Sequence, residues 1–205
     1  MRINYLGIIA GVLAFVSLAL PWWTYSISSS LDGFTVSNEA TSYLYQIRIP
    51  RPIIGTTVPP VSSISSPWYG LAALAFLVLG GLLGLMGGFI AKGRRIVLAL
   101  GGTLALFSII AFAAGLQNDI SNGAVAGLPK GAVLFSVGSY NSHGSSFNYS
   151  CYLSFGFWLA LIAALVMLYA LTKERTLIAN AQVTCGTSFL HSDVQGSDCC
   201  HKMAC

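Results

Sequence analysis

The sequence predicts an α-helical membrane protein: a four-transmembrane-helix bundle with a small extracellular β-sheet drawn from its two outer loops. Three observations predict it. Hydrophobic residues make up 55% of the 205 residues and charged ones only 8%, about a third of the charge of an ordinary soluble domain. Asp, Glu, Lys and Arg are missing from the long stretches Ile3–Leu31, Pro52–Ala91, Ile96–Gly115 and Gly131–Thr172. The segments between the apolar runs carry the alternation and β-branched content of strands.

The first apolar run, residues 4–20, ends in "LPWWTYSIS". Arg2 and the run behind it resemble the start of an export signal, but Leu18, Ala19, Leu20 and Pro21 offer no small-x-small cleavage site. The run therefore reads as a retained span. Trp22 and Trp23, with Trp68 at the start of the second span, read as interfacial anchors at headgroup depth. The other spans fall at about 70–91, 96–116 and 152–171. Each is near the roughly 17–25 residues that cross a hydrocarbon core.

Residues 1–175 thus form one membrane domain with outer loops at 21–69 and 117–151, and 176–205 form a Cys-rich cytoplasmic tail. Basic residues set the orientation. Arg2, Lys92, Arg94, Arg95, Lys173, Arg175 and Lys202 fall on one side, against Arg48, Arg51 and Lys130 on the other. Seven against three places both termini in the cytoplasm of a multi-pass cell-membrane protein.

In the first outer loop "YSIS", "SYLYQIRI" at 42–49 and "IIGTTV" have strand character, with prolines at 50, 52, 59, 60 and 67 cutting the loop into pieces. In the second, "GAVLFSVGSY" and "SSFNYSCYL" flank "NSHG" as a hairpin. Neither loop is long enough to bury a core alone, so a shared sheet should rest on the helix ends. Mobile Ser/Thr-rich loops are the alternative.

Helices with both termini inside, a long first loop after "LPWW", a shorter second loop and strands shared between them resemble the claudin and peripheral-myelin-protein tetraspan family. The resemblance is one of layout over residues 1–175. The family's Gly-Leu-Trp-Cys-Cys type signature is absent, since no cysteine precedes Cys151. The likeness implies a protein of membrane structure, adhesion or assembly, and carries over one position, the tryptophan after the first span, at Trp22 or Trp23.

Chemistry-bearing residues are sparse. No Asp, Glu, Lys, Arg or His lies in the four spans, which argues against a proton path or haem ligation. His143, Asp119 and Lys130 read as solvated loop residues. No phosphate loop, dinucleotide fingerprint or hydrolase elbow occurs, so neither catalytic residues nor cofactor are expected and nucleic acid is not an expected partner. Cys151 is the one outer cysteine, either buried as an apolar residue or bridged to another chain. Cys185, His191, Cys199, Cys200, His201 and Cys205 in the tail are a weak metal-ligand set without Cys-x-x-Cys spacing. An acylation or redox cluster and an unstructured tail are the other readings.

Small residues at helical spacing are the strongest pattern in the spans. Gly80, Gly84 and Gly88 lie four apart, as do Gly7 and Gly11, a spacing that lets helix backbones approach in lipid. They serve packing within this chain or against another subunit. Asn148 in "NYS" is a glycosylation sequon on the outer side. The acid-poor outer loops suit a strongly acidic exterior, as at an archaeal or thermoacidophilic surface.

Two function classes follow. The first is a non-enzymatic homo-oligomer that contacts its own copies through outer loops and helix faces in the lipid. The second is an accessory subunit of a larger membrane complex, docked by the glycine face. A channel or transporter ranks third.

Overall fold

The computed structural model describes residues 4–31, 34–48, 64–65, 67–90, 93–123, 128–129, 132–142 and 145–189. Its elements in chain order are α1 (Tyr5–Leu18), β1 (Trp23–Leu31), β2 (Phe34–Ser42), β3 (Gln46–Arg48), β4 (Ile64–Ser65), α2 (Trp68–Phe89), α3 (Arg94–Ser121), β5 (Ser136–Ser142), β6 (Ser145–Leu153) and α4 (Phe155–Phe189). The helices pack in a ring, α1 on α2, α2 on α3, α3 on α4 and α4 back on α1.

Three helices, α2, α3 and α4 over Phe155–Thr172, are long and apolar enough to cross a membrane. The first is shorter than the expected 4–20: its 14 residues rise about 21 Å against a core of about 30 Å. Asn4 caps its start by accepting the Leu6 amide at 3.1 Å. At the other end the Ala19 amide turns back to the Val16 carbonyl at 3.1 Å, and Pro21 has no N–H with which to continue.

Helix packing is inverted relative to a water-soluble bundle. Ala10, Ala14, Ala73, Ala105, Ala160, Ala163 and Ala164 fill the interior, while Ile9, Leu79, Leu82, Leu100, Ile110 and Leu165 point outward. Large apolar side chains on the outside suit lipid, where helices associate by close backbone packing instead of by hydrophobic burial. Two serines add polar ties: Ser17 donates to the Ala14 carbonyl and Ser108 to the Ala73 carbonyl across to α2, each at 2.7 Å. Between α2 and α3 the chain reverses through Gly93, whose φ of +82° lies where glycine is at ease. The Arg94 guanidinium then donates to the Ile90 carbonyl at 2.9 Å, placing positive charge at the C-terminus of α2.

Both connecting segments contribute to one six-stranded antiparallel sheet of order β4-β3-β2-β1-β6-β5. Its centre is β1, with Tyr25 opposite Ala40 on one side and Cys151 on the other. The hairpin expected around "NSHG" is present as β5 and β6, with Tyr140 opposite Phe147. The strand expected at 42–49 is broken. Tyr43–Tyr45 form a turn in which the Tyr43 amide donates to the Gln46 carbonyl at 2.8 Å, because Leu44 is fully buried in the core. The expected strand "IIGTTV" lies outside the described residues.

The sheet rests on the helix ends, as its size requires. Trp22, Leu44, Leu128, Cys151 and Leu153 share one core with Ile109, Phe112, Leu116 and Phe157. The last helix extends past the expected 171 to Phe189, since no Gly or Pro occurs between Phe157 and Cys185 to interrupt it. Residues 176–189 of the expected tail therefore have helical backbone, Cys185 among them.

Candidate functional site

The two tryptophans after α1 form the junction between bundle and sheet. Trp22 is wholly buried and Trp23 is 2% exposed, so neither is the lipid-facing anchor that the sequence suggested. The Trp22 ring meets Phe112 and Phe157 edge-on at 5.1 and 6.0 Å, and its indole N–H donates to the Ser17 carbonyl at 3.0 Å. Its backbone joins the sheet to α4: the amide donates to the Ser42 carbonyl at 2.8 Å, and the carbonyl accepts from the Ser154 amide at 3.0 Å. A buried indole needs a partner for its N–H, and the Ser17 carbonyl in the last turn of α1 serves, while also accepting the Leu20 amide at 3.3 Å. Trp68 alone of the three is exposed, at 77%.

Two residues that the sequence reading passed over complete the junction. Gly156 lies where a Cβ would come 2.6 Å from the Trp22 ring and 2.8 Å from the Leu20 carbonyl oxygen, so α4 begins against Trp22 only through a glycine. Gln117, in the polar last turns of α3, accepts the Leu134 amide at 3.1 Å and donates to the Ala132 carbonyl at 3.3 Å. It thereby acts as a surrogate strand for the second connection. A lone glycine and a lone glutamine carry no pattern that would single them out beforehand.

The glycine faces are covered by this chain. A Cβ on Gly80 would sit 2.9 Å from the Gly101 carbonyl oxygen of α3, and one on Gly11 would sit 2.9 Å from the Gly81 carbonyl oxygen of α2. Gly7 faces the Gly84 carbonyl at 3.1 Å, Gly84 faces Gly11 and Met167, and Gly88 faces Ile8 and the Asn4 carbonyl. The stripe on α2 therefore seats α1 on one flank and α3 on the other, and offers no bare face to an external subunit.

On the sheet, the pairing register sorts side chains into two faces. Ser26, Ser28, Ser139, Asn141, Asn148 and Ser150 share one face, with Ser26 and Ser150 hydrogen-bonded through their hydroxyls at 2.8 Å. Tyr25, Ile27, Tyr140, Phe147, Tyr149 and Cys151 share the other, where Tyr140 and Phe147 stack at 5.3 Å. Asn148 is exposed on the hydroxyl face.

The edge strand β5 is the least protected part of this sheet. Among the described residues it pairs with β6 on one side only; it has the sequence SVGSYNS without charge or proline, and exposes Val137 at 84% beside the exposed Phe135 and Val133. Edges of this kind lack the usual guards against pairing with another chain. The opposite edge, β4, comprises two of the described residues.

Cys151 is buried and free of disulfide, and burial pushes its thiol above the ordinary range, with the Ser136 hydroxyl opposing more weakly. The thiolate is the reactive form, so iodoacetamide at pH 8 is expected to label Cys151 at least about tenfold more slowly in the folded protein than after denaturation. Peptide mass spectrometry of a variant with the tail cysteines replaced by alanine reads this out.

Among the described residues no group of three or more His, Cys, Asp or Glu side chains is placed to hold a metal. Of the weak tail set, His191, Cys199, Cys200, His201 and Cys205 lie outside the described residues, as do Lys130 and His143. No known protein-family model and no curated protein matches this chain.

Proposed function

We propose that this chain is a non-enzymatic, four-span protein of the cell membrane that self-associates through the free edge of β5, with its sheet outside and both termini in the cytoplasm. The carrying observation is that uncharged edge, with Val137 standing 84% exposed. Ser139 is the middle residue of Ser136–Ser142, so two copies pairing antiparallel about it form a two-fold contact in which each edge covers the other. The packing of α1 against both α2 and α4 supports counting it as a fourth span despite its length. The layout's similarity to the claudin and peripheral-myelin-protein family points the same way, toward membrane structure, adhesion or assembly. The glycine stripe of α2, the face expected to dock an accessory subunit, is instead occupied internally, which favours the first reading.

Val137→Lys tests this reading. Lysine on an edge strand blocks pairing with another strand while disturbing nothing beneath so exposed a position. Light scattering on protein extracted in mild detergent is expected to show the particle falling from an oligomer to a single chain, with an unchanged melting temperature. A wild-type protein that is already a single chain, or an oligomer indifferent to the lysine, would defeat the proposal.

A further inference from the structure

At the sheet end of the bundle, the start of α2 and the last turns of α3 enclose an open cleft of about 260 Å³. Its walls are the rings of Trp68 and Tyr69, set at 82° to one another with centroids 6.1 Å apart. Its floor is Ala111, Ala114 and Gly115, and its polar end is Asn118 and Asp119. The floor is small because the Tyr69 ring lies directly on the α3 backbone at Gly115, where a Cβ would collide with it. None of these residues is used by the β5 edge.

We propose that this cleft binds an organic ammonium group, of the kind carried by a quaternary amine, against the exposed Trp68 ring in the corner it forms with the buried Tyr69, beside the Asp119 carboxylate. Three features favour a cation. Asp119 is the sole acid among the described residues of α1, α2 and α3, and it lies in the last turns of α3, where the helix dipole also attracts positive charge. The N-terminus of α2 adds partial positive charge, which does not cancel a full negative charge. Trp68, 77% exposed, presents an indole to the same space, and indole faces attract cations most strongly among aromatic rings.

The lining also decides which cation. Calcium or magnesium takes six or more oxygen ligands, and the cleft offers one carboxylate and one amide amid alanine and ring carbon. An alkylated ammonium group matches that mixture, since its methyl groups bury against the rings while its charge faces Asp119. It arrives either as a lipid headgroup or as a free solute.

Choline is the probe, titrated calorimetrically into the full chain in phosphatidylglycerol nanodiscs, with 3,3-dimethylbutanol as its uncharged isostere. Choline is expected to bind at least about tenfold more tightly than the isostere, and Trp68→Ala and Asp119→Asn each to weaken it about tenfold or more. Trp68 is 77% exposed, so Trp68→Ala keeps the test decisive where Asp119→Asn loses stability. Absence of choline binding, equal binding of the isostere, or a Trp68→Ala variant with full affinity would overturn the proposal. Phosphatidylcholine nanodiscs separate the sources: loss of the choline signal there identifies the headgroup as occupant, and an undiminished signal identifies the free cation.

Discussion

Replacing Gly80 by leucine is expected to unfold the bundle rather than to loosen an assembly. A Cβ at this position meets backbone, the Gly101 carbonyl oxygen at 2.9 Å and the Ala105 nitrogen at 3.2 Å, and backbone in a packed helix pair has no rotamer with which to move aside. Gly101 is in turn blocked by the Gly80 carbonyl at 3.0 Å, so α2 and α3 must separate along their length to admit four extra carbons. Overpacking of a tight interior costs about 1–3 kcal/mol where side chains adjust. Here the expected loss exceeds about 3 kcal/mol, in the range that reports a specific structural failure. Thermal unfolding in detergent, followed by circular dichroism, measures it. Gly84→Leu is expected to be milder, since the nearest group there is the flexible end of Met167. A Gly80→Leu protein that melts like the parent but forms smaller particles would make this face intermolecular after all.

Trp22→Ala is the second large effect. The residue is wholly buried between Phe112 and Phe157, and truncating a buried tryptophan costs about 3–5 kcal/mol. The same change strips the Ser17 carbonyl of its indole donor. Trp22→Phe keeps much of the ring contact and loses only that bond, so about 1–2 kcal/mol is expected. The separation between the two variants distinguishes a core tryptophan from an interfacial one, for which both changes would be small. Because Trp22 also sits between the sheet and α4, Trp22→Ala is expected to expose Cys151 to alkylation before the helices melt.

The helices were legible in the sequence because lipid-facing spans exclude charge all round, a signal that needs no knowledge of packing. Their ends were less so. The polar residues Gln117, Asn118 and Asp119 read as loop, yet α3 continues through them to Ser121, where Gln117 finds partners on the segment leading into β5. The second hairpin was legible from two strand-like runs around a turn sequence. The first was missed although Asp32-Gly33, between the paired Leu31 and Phe34, is a strong hairpin dipeptide.

Tyr43–Tyr45 misled for the opposite reason. Alternating tyrosine and leucine fit a strand, and only the tertiary fact that Leu44 enters the core makes a turn of it. Tryptophan after an apolar helix is likewise ambiguous: the same residue type suits a headgroup belt or a buried corner, and Trp22 and Trp23 are buried while Trp68 is exposed. Glycine spacing told that helices approach closely, but not which ones. The partition of Gly80 toward α3 and of Gly88 toward α1 depends on the rotation of α2, which no local pattern encodes.

Self-association through β5 is tested most directly by a crosslink at its midpoint. In a chain with its native cysteines replaced by alanine, Ser139→Cys should face its own copy across a two-fold edge pairing, within disulfide reach. Mild oxidation in the membrane is expected to give a covalent dimer, whereas Ser28→Cys, on the same face at the centre of the sheet, should stay monomeric. Equal crosslinking at both positions, or none at Ser139→Cys, would contradict edge pairing as the basis of assembly.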